Sequence, residues 1–344
     1  MKKYLLLLMS AAMFQLQPVK AQDVHLSQFY ETPLMRNPAL AGIFTGDVRV
    51  QIAYRNQWQS LGVPFQTSIV SGEYKMPVGR ADDFLTLGIN SFYDVAGSSR
   101  LKTFQLMPAV NFHKSLDAER NRYLSLGFMG GVVQRSFNAK DLTFDNQYSS
   151  SRGYDPSAPT GEIFSGMKRT FADMAVGMSF NSNIGEIGNF YVGASLWHFN
   201  KPTERFINEE IQLSPKWQGN AGIRVMISDV VRLSSEFNYV KQGAYTEIIG
   251  GGIVSYIFND MTDAPEGLNH IAVGLGAMLR VGDALVPVVQ LEYNSFNVGF
   301  SYDLNYSKLM TASQGRGGFE LTMSWKAFVN SERSSLDAAR CPRF

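Results

Sequence analysis

The chain has one cysteine in 344 residues, so no intramolecular disulfide can form and the fold cannot depend on one. An oxidising compartment stays compatible. Charge is sparse too: 18% of residues are Asp, Glu, Lys or Arg, with a formal net charge of +1. That balance gives no long-range pull toward nucleic acid or acidic polymers. After the first 21 residues no uncharged apolar run approaches the ~20 residues that a membrane-crossing helix needs. Nucleophile elbows, phosphate-binding loops and zinc signatures are missing as well. The four histidines, His25, His113, His198 and His270, share no short metal-ligating spacing. Three of them fall in or at the ends of expected strands, where a hydrogen bond inside a barrel is the plainer role. The chain is expected to be no enzyme and to carry no cofactor or metal, with a triad assembled from distant strands as the remaining route to catalysis.

What is present points to strands and export. Thirty-one glycines, 24 phenylalanines and 15 tyrosines suit a β-protein with tight turns. Lys2 and Lys3 precede an apolar run from Tyr4 to Phe14, and Val19-Lys20-Ala21 supplies small residues before a cut. Residues 1–21 therefore read as a secretory signal peptide.

The rest is a succession of period-2 segments, the pattern of a barrel with one face toward lipid and one toward the lumen. Phe104, Leu106, Pro108, Val110 and Phe112 share one face, and Thr103, Gln105, Met107, Ala109, Asn111 and His113 the other. The same alternation sets Val231, Leu233, Phe237 and Tyr239 against Arg232, Ser234, Glu236 and Asn238. It recurs where Phe296, Val298, Phe300, Tyr302 and Leu304 oppose Asn297, Gly299, Ser301, Asp303 and Asn305. Extended over 47–327, it gives an all-β transmembrane antiparallel β-barrel of about 14 strands, an even number as single-chain bacterial barrels require. The bland alternative is a soluble β-protein with tryptophan core anchors.

Connection lengths give a second line. With the N-terminus in the periplasm, the longest connections, 136–169 and 200–215, and also 305–317, all fall on the outer side, where long loops belong. Both termini are then expected in the periplasm, 328–344 being a periplasmic tail. Trp58, Trp197 and Trp217 are expected at outer strand ends and Trp325 at an inner one, in the interfacial belts. Gly318 to Met323 has the glycine-then-alternating form of a barrel-assembly signal.

Three segments carry a family resemblance: Gln28-Phe29-Tyr30-Glu31-Thr32-Pro33-Leu34-Met35-Arg36-Asn37-Pro38-Ala39-Leu40-Ala41-Gly42, then Tyr54-Arg55-Asn56-Gln57-Trp58, then Ala339-Arg340-Cys341-Pro342-Arg343-Phe344. In this order they resemble the PorP/SprF family, outer-membrane proteins of the type IX secretion system. The resemblance implies a non-enzymatic barrel that works in type IX secretion and gliding motility. Its implied partners are outer-membrane lipid, other secretion components, and a secreted adhesin or other cargo with a C-terminal sorting domain. No nucleic-acid partner is implied. The leading alternative is a porin or small-solute transporter, since polar lumen positions such as Arg232, Glu236, Gln290 and Glu292 could line a pore.

Residues 22–46 precede the first strand yet are too apolar for a free linker. Two readings stand: a lumen plug with turns at Asn37-Pro38 and Ala41-Gly42, or a docking segment for a periplasmic partner with Phe29, Tyr30 and Arg36 as anchors. Phe29, Tyr30, Pro33, Arg36, Asn37, Pro38, Arg55 and Trp58 are thus the candidate plug or partner-binding residues. For Arg55 the expected place is the lumen, paired with acids, because Arg facing lipid costs ~2–4 kcal/mol at the midplane. In the long connection 136–169, Asp141, Asp145, Asn146 and Asp155 could supply calcium ligands, but a solvated exterior loop that touches cargo is the simpler reading.

Overall fold

The computed structural model describes residues 23–59, 64–79, 83–97, 99–117, 121–138, 142–149, 151, 153–161, 167–204, 211–260, 270–307, 310 and 314–329. The expected signal peptide and most of the C-terminal tail lie outside this set, as do Asp141 and the side chain of His270.

Fourteen antiparallel strands close into one barrel. In chain order they are β1 (Val48–Gln57), β2 (Phe65–Val78), β3 (Asp83–Ala96), β4 (Leu101–Ser115), β5 (Arg122–Ser136), β6 (Lys168–Ile184) and β7 (Gly188–Trp197). Then follow β8 (Lys216–Ser228), β9 (Val231–Gln242), β10 (Tyr245–Asp260), β11 (His270–Arg280), β12 (Ala284–Tyr293), β13 (Phe296–Asn305) and β14 (Arg316–Ala327). Each strand pairs with its chain neighbours, and the seam joins β1 to β14 from Val48↔Ala327 to Gln57↔Gly318. Closure satisfies every strand edge, which an apolar solvent demands. Two short hairpins, Tyr148–Ser149 with Gly153–Tyr154 and Thr203–Glu204 with Ile211–Gln212, stand in the long connections.

The alternation read from the sequence is the alternation of burial. On β1, Arg49, Gln51, Ala53 and Arg55 are buried while Val50 and Ile52 are exposed. On β4, Thr103, Gln105, Met107, Ala109, Asn111 and His113 point inward. Outside, Leu126 is 65% and Leu275 61% exposed to the medium, a surface that suits acyl chains. No described helix is long and apolar enough to cross a membrane.

One expected position is corrected. Trp217 is 58% exposed, outward at its strand end, but Trp197 is 2% exposed and inward. Its strand phase puts Tyr191, Ser195 and Trp197 on the lumen face and Val192 on the lipid face. Nearness to a strand end says nothing about which face a ring takes.

Candidate functional site

The lumen is where this barrel departs from a plain tube, because residues 23–47 run through it from one mouth to the other. Asp23 lies at the mouth that carries the longest connections. Its carboxylate meets His198 Nε2 at 2.8 Å and Lys216 Nζ at 2.7 Å, beside the ends of β7 and β8. Asp47 lies at the opposite mouth, where its N–H donates to Ala327 O at 2.8 Å and its O accepts from Lys75 N at 2.7 Å. The two ends of the described chain, Asp23 and Val329, therefore sit at opposite mouths.

Local sequence explains the path. Pro33 opens a one-turn helix, Pro33–Arg36, and Pro38 opens a 3-10 turn, Pro38–Leu40; proline at the first helical position gives up no needed donor. Asn37 sits between them, extended, with its Oδ1 accepting from Ala39 N at 2.8 Å. The backbone therefore folds on itself in short turns and leaves carbonyls for the barrel wall to satisfy.

On one side the wall is small and neutral. Asn37 Nδ2 donates to Met178 O (3.1 Å), Ala194 O (3.2 Å) and Asn220 Oδ1 (3.0 Å). Asn111 Nδ2 donates to Ala39 O (2.9 Å) and Ala41 O (2.7 Å). Ser195 Oγ and Trp197 Nε1 both donate to Arg36 O, at 2.7 and 3.2 Å. Three glycines on adjacent strands make the approach possible. A Cβ on Gly177 would stand 1.9 Å from Asn37 Oδ1, one on Gly193 2.8 Å from Asn37 Nδ2, and one on Gly127 2.4 Å from Ala39 N.

On the other side the wall is charged. Arg55 pairs with Asp303 at 2.7 Å and with Glu320, and Arg280 reaches Asp303 at 3.2 Å. Into this group the segment places Ser27, which donates from N to Glu320 (2.5 Å) and from Oγ to Asp303 (2.6 Å). Gln28 N donates to the other Glu320 oxygen at 2.7 Å. All of these side chains are almost fully buried; in such a setting each charge depends on the others, and losing one partner costs ~3–5 kcal/mol. Nearby, Arg36 Nη1 donates to Tyr191 Oη (2.8 Å) and Glu236 (3.2 Å), with its guanidinium over the Phe29 ring. At the exit, Arg49 and Glu73 form a two-pronged pair that also takes Gly42 N.

The segment's own titratable groups follow its burial. Burial pushes His25 down to about 4, aided by Arg280 and Arg55 and opposed by Glu247, so at neutral pH its ring is uncharged and the 3.6 Å approach of Glu247 is no ion pair. Asp23 behaves differently. Burial works against its charge, but Lys216 and His198 outweigh that and hold it well below the usual carboxylate range.

The expected residues sort accordingly. Phe29, Pro33, Arg36, Asn37, Pro38 and Arg55 are buried in the lumen, and half-buried Tyr30 packs beside Phe29. Trp58 is apart from them, at the exit of β1 with its ring edge on Phe65 at 4.8 Å. Reading single positions missed Ser27, Gln28, Asp303, Glu320 and the three glycines; inward phase was the signal for the acids. In the long connection, Asp155 accepts from Ser157 N and Oγ, and Asn146 donates to Thr160 O. Among the described residues no three His, Cys, Asp or Glu side chains converge as a metal site.

The family model described as type IX secretion system membrane protein PorP/SprF matches residues 19–325. No curated protein matches the chain by sequence. Among solved structures, it is similar to a FadL homologue of Pseudomonas aeruginosa, at 9% identity over 84% of this chain and 92% of that one, with a TM-score of 0.49. It is also similar to a deltaS2 mutant of the TodX monoaromatic hydrocarbon channel, at 10% identity over 87% and 94%, TM-score 0.47. The CymD monoaromatic hydrocarbon channel is similar at 11% identity over 87% and 93%, TM-score 0.43.

Proposed function

The chain belongs to the PorP/SprF family of type IX secretion system membrane proteins, and from that premise we propose that this barrel helps export or surface-attach a secreted protein with a C-terminal sorting domain, in the machinery that also serves gliding motility. A closed barrel of 14 strands with an apolar outer face, in such a family, is an outer-membrane protein. In our reading its working parts are its surfaces, with the lumen shut by its own first residues.

The observation that carries this reading is the set of bonds between residues 23–47 and inward side chains on both walls. A general porin needs water where those residues lie. We place the short-turn mouth in the periplasm, facing the rest of the apparatus. The long connections, 137–167 among them, then face outward as the first contact for cargo, and so does the Asp23 end of the segment.

Planar-bilayer recording tests the closed lumen. The full chain is expected to be silent and a 23–42 deletion to conduct; large stable conductance of the full chain would make solute passage the function. A tagged pull-down from solubilised outer membranes tests the secretion role. It should recover secretion components or one sorting-domain protein, and a barrel that comes out alone would leave the family membership as ancestry only.

A further inference from the structure

The outer face of the barrel changes character along one stretch of the mouth that carries the long connections. Lys102 of β4, Ser136 of β5 and Lys168 of β6 are register partners, Lys102↔Ser136 and Ser136↔Lys168, and their strand phase is that of Phe104, Val132 and Thr170, on the outside. Neighbouring strands lie ~4.8 Å apart, so the two lysines spring from points ~10 Å apart with the serine between them. Arg100, exposed in the turn before β4, joins them at a cleft of about 370 Å³ lined by Arg100, Lys102, Ser136, Phe137 and Asn138.

Among the described residues no acid answers these charges. The side chains of Arg100, Lys102 and Lys168 make no hydrogen bond, ion pair or ring contact there. The neighbouring acids, Asp94 opposite Thr103 and Asp173 opposite Gly131, are buried on the lumen face. Arg135 and Arg169, opposite each other, have the lumen phase too and are already engaged. One step toward the middle of the barrel the outer face carries Phe104, Gln134 and Thr170, and the next step Leu106, Val132 and Ala172. Cations, then a mixed row, then an apolar one match the passage from headgroups to acyl chains. A single lysine at a strand end is explained by snorkelling to water, but three like charges around one cleft repel and call for an anion. On the opposite flank of the ring, the corresponding ends of β11 and β12 turn Leu279 and Leu285 outward instead.

We propose that Arg100, Lys102, Ser136 and Lys168 form a binding site for the phosphate of an outer-leaflet glycolipid of the lipid A class, whose acyl chains lie against Phe104 and Val132. The two lysines supply charge from either side, Arg100 a planar two-pronged donor, and Ser136 a hydroxyl. The choice of leaflet rests on the reading that puts the long connections outside.

The test adds lipid A, phosphate-free lipid A or inorganic phosphate to the full chain in detergent and reads binding by native mass spectrometry. Lipid A is expected to bind saturably, and the phosphate-free form at least about tenfold more weakly, as loss of bonds to a charged group implies. The double variant Lys102→Gln, Lys168→Gln, checked for folding on heat-modified gels, should lose that preference, and Lys102→Arg with Lys168→Arg should keep it. Equal binding of the two lipids by the wild type, a result that needs no variant, would overturn the site, as would a preference that survives the glutamine pair. Displacement of lipid A by an equal concentration of inorganic phosphate would make this a free-phosphate site and overturn the lipid assignment. Orientation is read separately: in a Cys341→Ser background, Ser151→Cys, exposed on the longest connection, should react with a membrane-impermeant maleimide on intact cells. Labelling together with equal binding of the two lipids overturns the site alone, whereas no labelling overturns the leaflet along with the placing of the long connections.

Discussion

The two walls of the lumen hold the same segment by opposite chemistry. Strands β4 to β7 receive residues 36–41 with amides, hydroxyls and missing side chains: Asn111, Ser179, Ser195, and the glycines at 127, 177 and 193. Strands β1, β11, β13 and β14 receive Ser27 and Gln28 with Arg55, Arg280, Asp303 and Glu320. The neutral wall works by shape, since a single Cβ at Gly177 would stand 1.9 Å from Asn37 Oδ1, where no atom fits. The charged wall works by mutual neutralisation, and its members stand or fall together. A segment held by shape is released by bulk, whereas one held by charge is released by removing a partner.

The largest effect should come from the charged wall. Arg55→Met leaves Asp303 and Glu320 buried against each other with one counter-ion fewer and should cost ~3–5 kcal/mol. Urea titration in detergent would read it, and a loss under ~1 kcal/mol would mean that the network is wetter than its burial implies. The neutral wall should break next. Gly177→Val pushes a side chain into the place of Asn37 Oδ1 and should cost ~1–3 kcal/mol through overpacking, with the barrel intact on heat-modified gels and the lumen newly conducting. A Gly177→Val protein that stays silent would show that the segment can shift without leaving.

Asn37→Ala removes the donor to three acceptors and should cost ~1–3 kcal/mol, the range for leaving buried partners unsatisfied. Its readout is protease access to residues 23–47 in the folded barrel, and unchanged access would shift the weight to the glycines.

The smallest effect is a pH dependence at the Asp23 end. Burial opposes the charge on His198, but the Asp23 carboxylate and hydrogen bonds to Asp173 and Asp23 outweigh it and raise the pKa to about 9. A raised folded pKa stabilises fully below the unfolded value of 6.5; that contribution fades as pH climbs and is gone once it passes about 9. Labelling of a cysteine placed at Val24 should therefore quicken above about pH 9. In His198→Gln it should be fast throughout, and identical profiles would remove the tether.

Much of the barrel was legible because its rule is local. Alternation at Thr103 to His113 and at Phe296 to Asn305 fixed inward and outward faces, and connection length fixed which ends go together. Arg55 was placed correctly on cost alone, since an arginine on the lipid face is expensive. Its partners were not named, because Asp303 and Glu320 lie 248 and 265 residues away in sequence and nothing local couples them. Trp197 shows the reverse: its place at a strand end suggests the interfacial belt, but the phase set by Tyr191 and Val192 turns its ring into the lumen. The apolar content of residues 22–46 indicated burial, but their route through the lumen rests on contacts with many separate strands, and composition carries no route.

The seam between β1 and β14 puts the beginning and the end of the chain on the same clock. Residues 23–47 leave the ribosome before any strand exists, yet the ring that surrounds them is complete only when 316–327 arrive. That stretch must wait for its partners until the last strand is made, and its apolar side chains need shielding during the wait. Once the seam is zipped, residues 23–47 are a thread through a finished ring, and they can leave only by sliding out of a mouth or by unzipping the last strand from the first.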